Sequence, residues 1–347
     1  MSTFSAIFPA NRPVLLLAPM QDVTDLPFWR IMHHYGGPDI YFTEYFRVHA
    51  SSSLDAHILE AIRTNPAQKP VIAQLIGQDI PSLLRTVEKL QKEKLLAIDL
   101  NLGCPAPIVC RKASGGGMLR QPEHVVAVLS ALRSALSIPF TVKTRVGFDT
   151  ISEFTALLDI YSTQGIDALT VHGRTVKEMY RAAVHYELIA EAARRMACPV
   201  FANGNILSAQ MARDIATETQ AAGLMIGRGA IRNPWIFNQI RELYDSGSVQ
   251  TRPTLLDLRA YIEMLYRNTM PHHLPDRIRV AKMKKFMNFI AQKIDPQDQF
   301  LHDIRRCENE RDFFLTCDRF LNTDALFEVE TPDKYLINAG NPRNDCY

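Results

Sequence analysis

The sequence predicts an α/β chain: a (β/α)8 TIM barrel followed by an all-helical bundle. Three observations predict it. Over roughly the first 230 residues, short Val/Ile/Leu/Ala runs alternate with amphipathic segments, and the runs are apolar throughout, as in parallel strands buried on both faces. Eight such runs recur about every 27 residues, the spacing of barrel βα units. After Trp235 the pattern changes, and from Thr254 to Asp324 no strand-like run appears. A doubly wound open sheet is the alternative, but no G-x-G-x-x-G motif follows the first run, which counts against a dinucleotide-binding version of it.

The predicted strands are Val14–Pro19, Ile40–Phe46, Pro70–Gly77, Leu95–Gly103, Phe140–Gly147, Ala168–Arg174, Pro199–Ile206 and Gly223–Arg228. Helical segments between them include Asp79–Lys92, Pro122–Ala135, Ile151–Gln164, Tyr186–Met196 and Ser208–Thr217. Leu255–Asn268 and Arg277–Gln292 read as helices of the second domain, with breaks at Thr251-Arg252-Pro253 and Asp295-Pro296. The polar linker Ser246-Gly247-Ser248 sets a boundary, giving a barrel domain at 1–247 and a helical domain at 248–330. Residues 331–347, which end in a stretch rich in Gly, Asn, Pro and Asp, read as a disordered tail.

Charge is balanced, with 39 Lys+Arg against 37 Asp+Glu in 347 residues. A highly basic nucleic-acid coat is excluded, so any nucleic-acid contact must come from a local patch. No apolar run approaches the ~18 residues of a membrane helix, and no targeting segment is visible. The six cysteines are irregularly spaced without a C-x-x-C pair. A disulfide framework and a structural zinc site are therefore not expected, and a reducing cytoplasm is.

Barrel chemistry gathers at the C-terminal ends of strands. Those ends carry Ala18-Pro19-Met20, Gln74, Asn101-Leu102-Gly103-Cys104-Pro105, Lys143-Thr144-Arg145, His172-Gly173-Arg174, Asn203-Gly204-Asn205 and Gly227-Arg228-Gly229. A fold needs none of these polar groups there, and each costs energy if buried unpaired. The glycines at the last two strands bring backbone N–H groups close to a ligand, as in a barrel phosphate site; the plainer reading is that they only end strands. Lys143 lies in an otherwise apolar strand, where a cation stabilises an anionic reduced flavin edge or is merely salt-bridged. Cys104 lies in a glycine-containing loop that continues through Ser114-Gly115-Gly116-Gly117 and reads as mobile. A thiol of pKa ~8.5 is mostly protonated at neutral pH. That suits a general acid; a nucleophile or a buried hydrophobe stays open.

These motifs resemble the tRNA-dihydrouridine synthases, from about Leu16 to at least Lys285. The carriers are Ala18-Pro19-Met20 with Val23-Thr24-Asp25, Asn101-Leu102-Gly103-Cys104-Pro105, Lys143-Thr144-Arg145, Val171-His172-Gly173-Arg174-Thr175, Ala202-Asn203-Gly204 and Ile226-Gly227-Arg228-Gly229. The resemblance implies a barrel that binds FMN, NADPH as reductant, and tRNA as substrate, contacted at its D-loop and elbow. It implies Ala18, Pro19, Met20, Gln74, Lys143 and His172 around the flavin, with Asn203, Gly204, Asn205, Gly227 and Arg228 at its phosphate end. Hydride passes to C6 of a flipped-out uracil, and Cys104 protonates C5. Asn101 and Arg145 hold the uracil, and Arg174 aids substrate or phosphate binding. The run Gly173–Ala182 is most like the DusC type, acting on uridine 16, with Tyr180 packed on the base; the DusB type is the alternative. A monomer without metal is expected. Four features depart from the family pattern: Asp22 stands where glycine is common, Cys110 is an extra thiol, the three glycines at 115–117 suggest a loose cysteine loop, and the tail after about 325 has no counterpart.

The run Arg277–Phe286 has five basic residues and no acid. At ~100° per residue, Val280, Met283, Phe286, Met287 and Ile290 share one helix face, with Arg277, Lys282, Lys284 and Lys285 mainly opposite. With Arg279, these are the candidate tRNA contacts, able to follow phosphates without reading sequence. Two competing functions remain: a flavin reductase of a free small molecule, which needs no basic helical domain, and a tRNA-binding protein without turnover.

Overall fold

The computed structural model describes residues 4–270 and 273–330; the expected tail at 331–347 lies outside them. Nine strands form one parallel sheet: β1 (Val14–Leu17), β2 (Ile40–Phe42), β3 (Phe46–Arg47), β4 (Val71–Ile76), β5 (Ala97–Leu102), β6 (Phe140–Arg145), β7 (Ala168–His172), β8 (Val200–Asn203) and β9 (Gly223–Ile226). The order β2-β1-β9-β8-β7-β6-β5-β4 closes through β2–β4 pairing, where Tyr41 faces Val71, into an eight-stranded barrel. The run Ile40–Phe46 is not one strand. It breaks at Thr43-Glu44-Tyr45, and β3 pairs separately with the end of β4.

Alternation along the strands divides the core in two. Val14, Leu16, Ile40, Phe42, Ile72, Ala97, Ala168, Phe201 and Met225 form one cluster, which fills the barrel. Phe4, wholly buried, joins it through ring contacts with Phe201 and Phe8. The intervening residues, such as Leu15, Leu17, Ala73 and Leu100, belong to the larger cluster shared with the helices.

The helices are α1 (Leu26–His34), α2 (Ala56–Thr64), α3 (Ile80–Leu90), α4 (Pro107–Arg111), α5 (Pro122–Ala135), α6 (Phe154–Thr163), α7 (Tyr186–Arg195), α8 (Ala209–Thr219), α9 (Arg228–Arg232), α10 (Ile236–Ser246), α11 (Leu255–Thr269), α12 (Asp276–Ile290), α13 (Gln299–Ile304) and α14 (Glu310–Leu321). Local chemistry sets their starts. Asp25, Asp55, Asp79 and Ser208 accept backbone N–H bonds as N-caps, and Thr254 and Asp257 form a reciprocal capping box. Gly247, at φ 78°, ends α10 in the left-handed conformation.

The helices after α10 pack on the barrel through a continuous core. Phe286 of α12 stacks on Phe28 of α1, and Tyr261 of α11 sits against Tyr35 and Trp235. Arg232, almost wholly buried, fastens the two parts. Its guanidinium donates to the carbonyls of Phe289, Ile290, Gln292, Glu328 and Val329 at 2.8–3.3 Å, and it lies over the Phe327 ring. Among the described residues no helix is long and apolar enough to cross a membrane.

Candidate active site

One cavity, of about 1510 Å³ counting its open mouth, lies at the C-terminal ends of the strands. Its wall includes Ala18, Pro19, Met20, Asn101, Cys104, Lys143, Arg145, His172, Asn203, Gly204, Asn205, Gly227 and Arg228, which the strand-end reading singled out, and Tyr180, which the family resemblance pointed to. Gln74 and Arg174 are not in that wall; both stand behind it.

The cysteine loop is anchored by a chain of hydrogen bonds from the barrel interior. Thr141 Oγ1 donates to Asp99 Oδ1 at 2.6 Å, and Gln74 Nε2 donates to Asp99 Oδ2 at 2.7 Å. Asn101 Nδ2 then donates to Gln74 Oε1 at 2.8 Å. Asn101 Oδ1 accepts from the backbone N–H of Gly103 at 3.0 Å and of Cys104 at 2.9 Å. Gln74, expected at the edge of a bound ring, is thus wholly buried beneath the cavity with its amide engaged at both ends. Burial raises the Asp99 carboxyl to about 6, against the opposing hydrogen bonds and the Lys143 charge.

The expected mobility of the cysteine loop is corrected. Gly115, Gly116 and Gly117 are buried at the start of a 3-10 helix (Gly115–Arg120). A Cβ on Gly117 would stand 2.5 Å from the Cys110 carbonyl oxygen, and one on Gly116 would stand 2.6 Å from Val176 and 2.9 Å from the Cys104 oxygen. Gly116 N–H donates to that Cys104 oxygen at 3.0 Å, and the Cys110 thiol donates to it at 3.5 Å. Here the glycines permit close packing rather than motion.

Burial raises the Cys104 thiol above its ordinary value, against the pull of Arg145, Lys143 and Arg47. It is therefore protonated at neutral pH, as a proton donor must be. Burial and the neighbouring Arg145 lower the Lys143 ammonium to about 8; its Nζ donates to Asn203 Oδ1 at 3.2 Å, and Asn203 Nδ2 donates to the Met225 carbonyl at 2.8 Å. His172 is held well below its usual value by burial and by Arg145, Lys143, Arg174 and Arg228. Its Nε2 lies 3.3 Å from Arg174 Nη1. A guanidinium only donates, so Nε2 accepts, and the proton of the neutral ring sits on Nδ1. Arg174 is corrected from a substrate contact to a positioning group: wholly buried, it holds His172, the Ala182 carbonyl and Asn205 Oδ1.

Arg145 lines the cavity, yet its Nε and Nη1 donate to the carbonyls of Gly103, Thr175 and Met179, each at 2.8 Å. It therefore ties the cysteine loop to the segment carrying Tyr180. The guanidinium carbons of Arg145 and Arg228 lie 5.4 and 4.7 Å from the centroid of the Tyr180 ring. At the glycine end, Arg228 Nη2 donates to Asn205 Oδ1 at 3.2 Å. A Cβ on Gly227 would lie 3.3 Å from Met20 Sδ and 3.4 Å from Ala18. Asp22 adopts φ 60°, the left-handed conformation that glycine takes readily and aspartate tolerates. It therefore preserves the turn after β1.

On α12, Val280, Met283, Phe286, Met287 and Ile290 are buried. Arg277, Lys282 and Lys285 are exposed, and Lys284 is half-buried. Together with Ile278 and Ala281, the three exposed cations line a shallow groove. Arg279 is corrected. It is 6% exposed, paired with Glu310 at 2.9 Å and Asp276 at 3.6 Å, and packed over Tyr266, so it faces no solvent partner. The cavity also takes in residues that the sequence reading missed: Gln21, Tyr45 and Met179, and from α12 Asn288 and Phe289. Tyr45 was hidden by reading Ile40–Phe46 as one strand; Asn288 and Phe289 carry no local signal.

Fold and site together define a barrel enzyme with a cavity at the strand ends that holds a protonated thiol among several polar side chains. The chain belongs to the dihydrouridine synthase (Dus) family, whose pattern matches residues 16–325, and is an oxidoreductase. It is 28% identical over 324 residues to tRNA-dihydrouridine synthase B of Pasteurella multocida, covering 89% of this chain and 92% of that one. It is 30% identical over 316 residues to tRNA-dihydrouridine(16) synthase of Haemophilus influenzae, covering 87% and 98%. A solved 2-naphthoyl-CoA reductase complex shares the fold, at TM-score 0.54 and 10% identity over 69% of this chain and 52% of that one.

Proposed function

We propose that the chain reduces a D-loop uridine of tRNA, uridine 16, to 5,6-dihydrouridine, using FMN and NADPH. The observation that carries the reading is the union, in one cavity, of the protonated Cys104 thiol with Lys143, neutral His172 and the Gly227–Arg228 end.

The residues fit a flavin mononucleotide. Lys143 Nζ and the His172 Nδ1–H supply donors for the pyrimidine edge of the ring. Asn203, Asn205, Arg228 and the side-chain-free approach at Gly227 suit its phosphate. Bound there, FMN supplies the hydride for C6 of the uracil. Cys104 delivers the proton to C5. Its backbone N–H is held by Asn101 and its carbonyl by Gly116, so the backbone that carries the thiol is in place before substrate arrives. Tyr180, in the cavity wall beside the guanidinium groups of Arg145 and Arg228, offers the base a stacking face. Arg145 and Asn101 flank the position of the uracil carbonyls, where negative charge develops.

The exposed cations of α12 supply the local patch that a nearly neutral chain needs to hold tRNA phosphates. Position 16 rests on the Tyr180 segment and on the relatives named for that position. The relatives named synthase B favour a second reading, a different D-loop uridine. The cofactor assignment is tested by denaturing the purified protein and identifying the released chromophore, then following NADPH oxidation with and without unmodified tRNA. FMN and tRNA-stimulated NADPH oxidation are expected. A protein that takes up no flavin contradicts the reading.

A further inference from the structure

We propose that Asn288 and Phe289, at the end of α12, form a recognition unit for the unpaired nucleotide beside the target uridine, with Arg305 as the residue that orients the Asn288 amide. The proposal rests on the tRNA reading above and deepens it.

Both residues lie in the wall of the cavity that holds Cys104. Arg305 donates to Asn288 Oδ1 twice, from Nε at 3.0 Å and from Nη2 at 2.8 Å. Because a guanidinium has no acceptor, this pair of bonds settles which end of the amide is oxygen. The Nδ2 amino group is turned away from Arg305. It makes no hydrogen bond among the described residues, and it is not among the buried polar atoms that lack a partner, so it keeps some solvent access.

Phe289 stands next to it, half-buried against the core. The helix end that carries both is immobilised, since Arg232 of α9 holds the carbonyls of Phe289, Ile290 and Gln292. A fixed aromatic face beside a fixed amide donor is the combination by which proteins take unstacked RNA bases: the ring stacks, and the amide bonds a base-edge or ribose oxygen. Packing alone accounts for Phe289 and for the Arg305–Asn288 bonds. It does not account for a solvent-accessible amide donor left without a partner among the described residues on a residue of the cavity wall. Because α12 also carries the exposed cations, one helix would hold the backbone with its first turns and read a nucleotide with its last.

The test uses the full-length flavin-loaded protein and an unmodified tRNA transcript, with KM and kcat measured and the modified position mapped by mass spectrometry. Asn288→Ala should raise KM for tRNA about fivefold to tenfold, the value of one amide hydrogen bond, with a smaller change in kcat. It should also let dihydrouridine appear at a second D-loop uridine. Arg305→Ala should move KM in the same direction by less. Flavin content and thermal midpoint should stay at wild-type values. Wild-type KM and a single modified position in Asn288→Ala overturn the proposal. If that variant loses flavin or unfolds, Asn288→Ser and Phe289→Leu decide: raised KM with flavin intact supports the unit, and unchanged KM overturns it. Wild-type protein that makes no dihydrouridine in the same assay overturns the tRNA reading itself, and this inference with it.

Discussion

The side-chain oxygen of Asn101 accepts the backbone N–H of Cys104 at 2.9 Å, so a residue on β5 positions the backbone that carries the thiol, alongside the contacts within its own loop. Asn101 is held in turn by Gln74, and Gln74 by Asp99. The proton donor is thus built onto the barrel interior. Asn101→Ala removes the acceptor for two backbone donors. We expect dihydrouridine formation to fall by about 10²-fold, the cost of small misplacement at a reacting centre, with flavin still bound. Single-turnover rates check this; an unchanged rate shows that the loop holds itself.

Cys104→Ala should keep FMN, tRNA binding and reduction of the flavin by NADPH. Dihydrouridine formation should fall by ~10²-fold or more, the range for a lost general acid. Since burial raises the thiol above its ordinary value, wild-type single-turnover rates should show no loss from thiol ionisation around neutral pH. A decline centred near pH 7 would mean that Cys104 is not the donor.

Lys143 is a buried cation whose folded value, about 8, lies below its ordinary 10.5. For a base shifted down, the unfolded chain binds more protons between those values. The penalty is therefore fully present below about pH 8 and gone above about 10.5. At about 1.4 kcal/mol per pKa unit, it reaches about 3 kcal/mol at pH 7. Lys143→Met should accordingly raise the stability of the flavin-free protein at pH 7 by up to that amount, with the gain vanishing towards pH 10.5, while weakening flavin binding. Denaturant melts at pH 7 and 10 check the sign.

The barrel was legible because its strands are buried on both faces, which makes them continuous apolar runs, and because a closed sheet gathers their polar ends at one mouth. Asn101, Cys104, Lys143, His172 and Arg228 could therefore be placed from strand ends alone. The misses each depend on a distant partner. Arg279 looked like one more cation of a basic run, but it sits one position from Val280 and four from Met283, on the packed face, and its acid, Glu310, comes thirty-one residues later. The glycines at 115–117 read as slack because Val176 and the Cys110 backbone, which force their small size, are remote or on another turn. Gln74 points inward from mid-strand, and only the barrel interior shows that Asp99 and Asn101 take both ends of its amide.

The exposed cations of α12 give a fourth prediction. Reversing Lys282 and Lys285 to Glu should weaken tRNA binding at least tenfold and flatten its salt dependence, since fewer phosphates are neutralised. Flavin content should be unaffected. Titrations at two salt concentrations check it; loss of flavin in step with tRNA would indicate misfolding instead.

The central claim is that this cavity reduces a tRNA uridine. It is tested most directly by incubating unmodified tRNA with the purified protein, FMN and NADPH, and mapping by mass spectrometry any uridine that gains two hydrogens. The account predicts dihydrouridine at position 16 and nowhere else. Dihydrouridine at another D-loop position would contradict the choice of uridine, and its absence with flavin bound and NADPH still oxidised would contradict the claim itself.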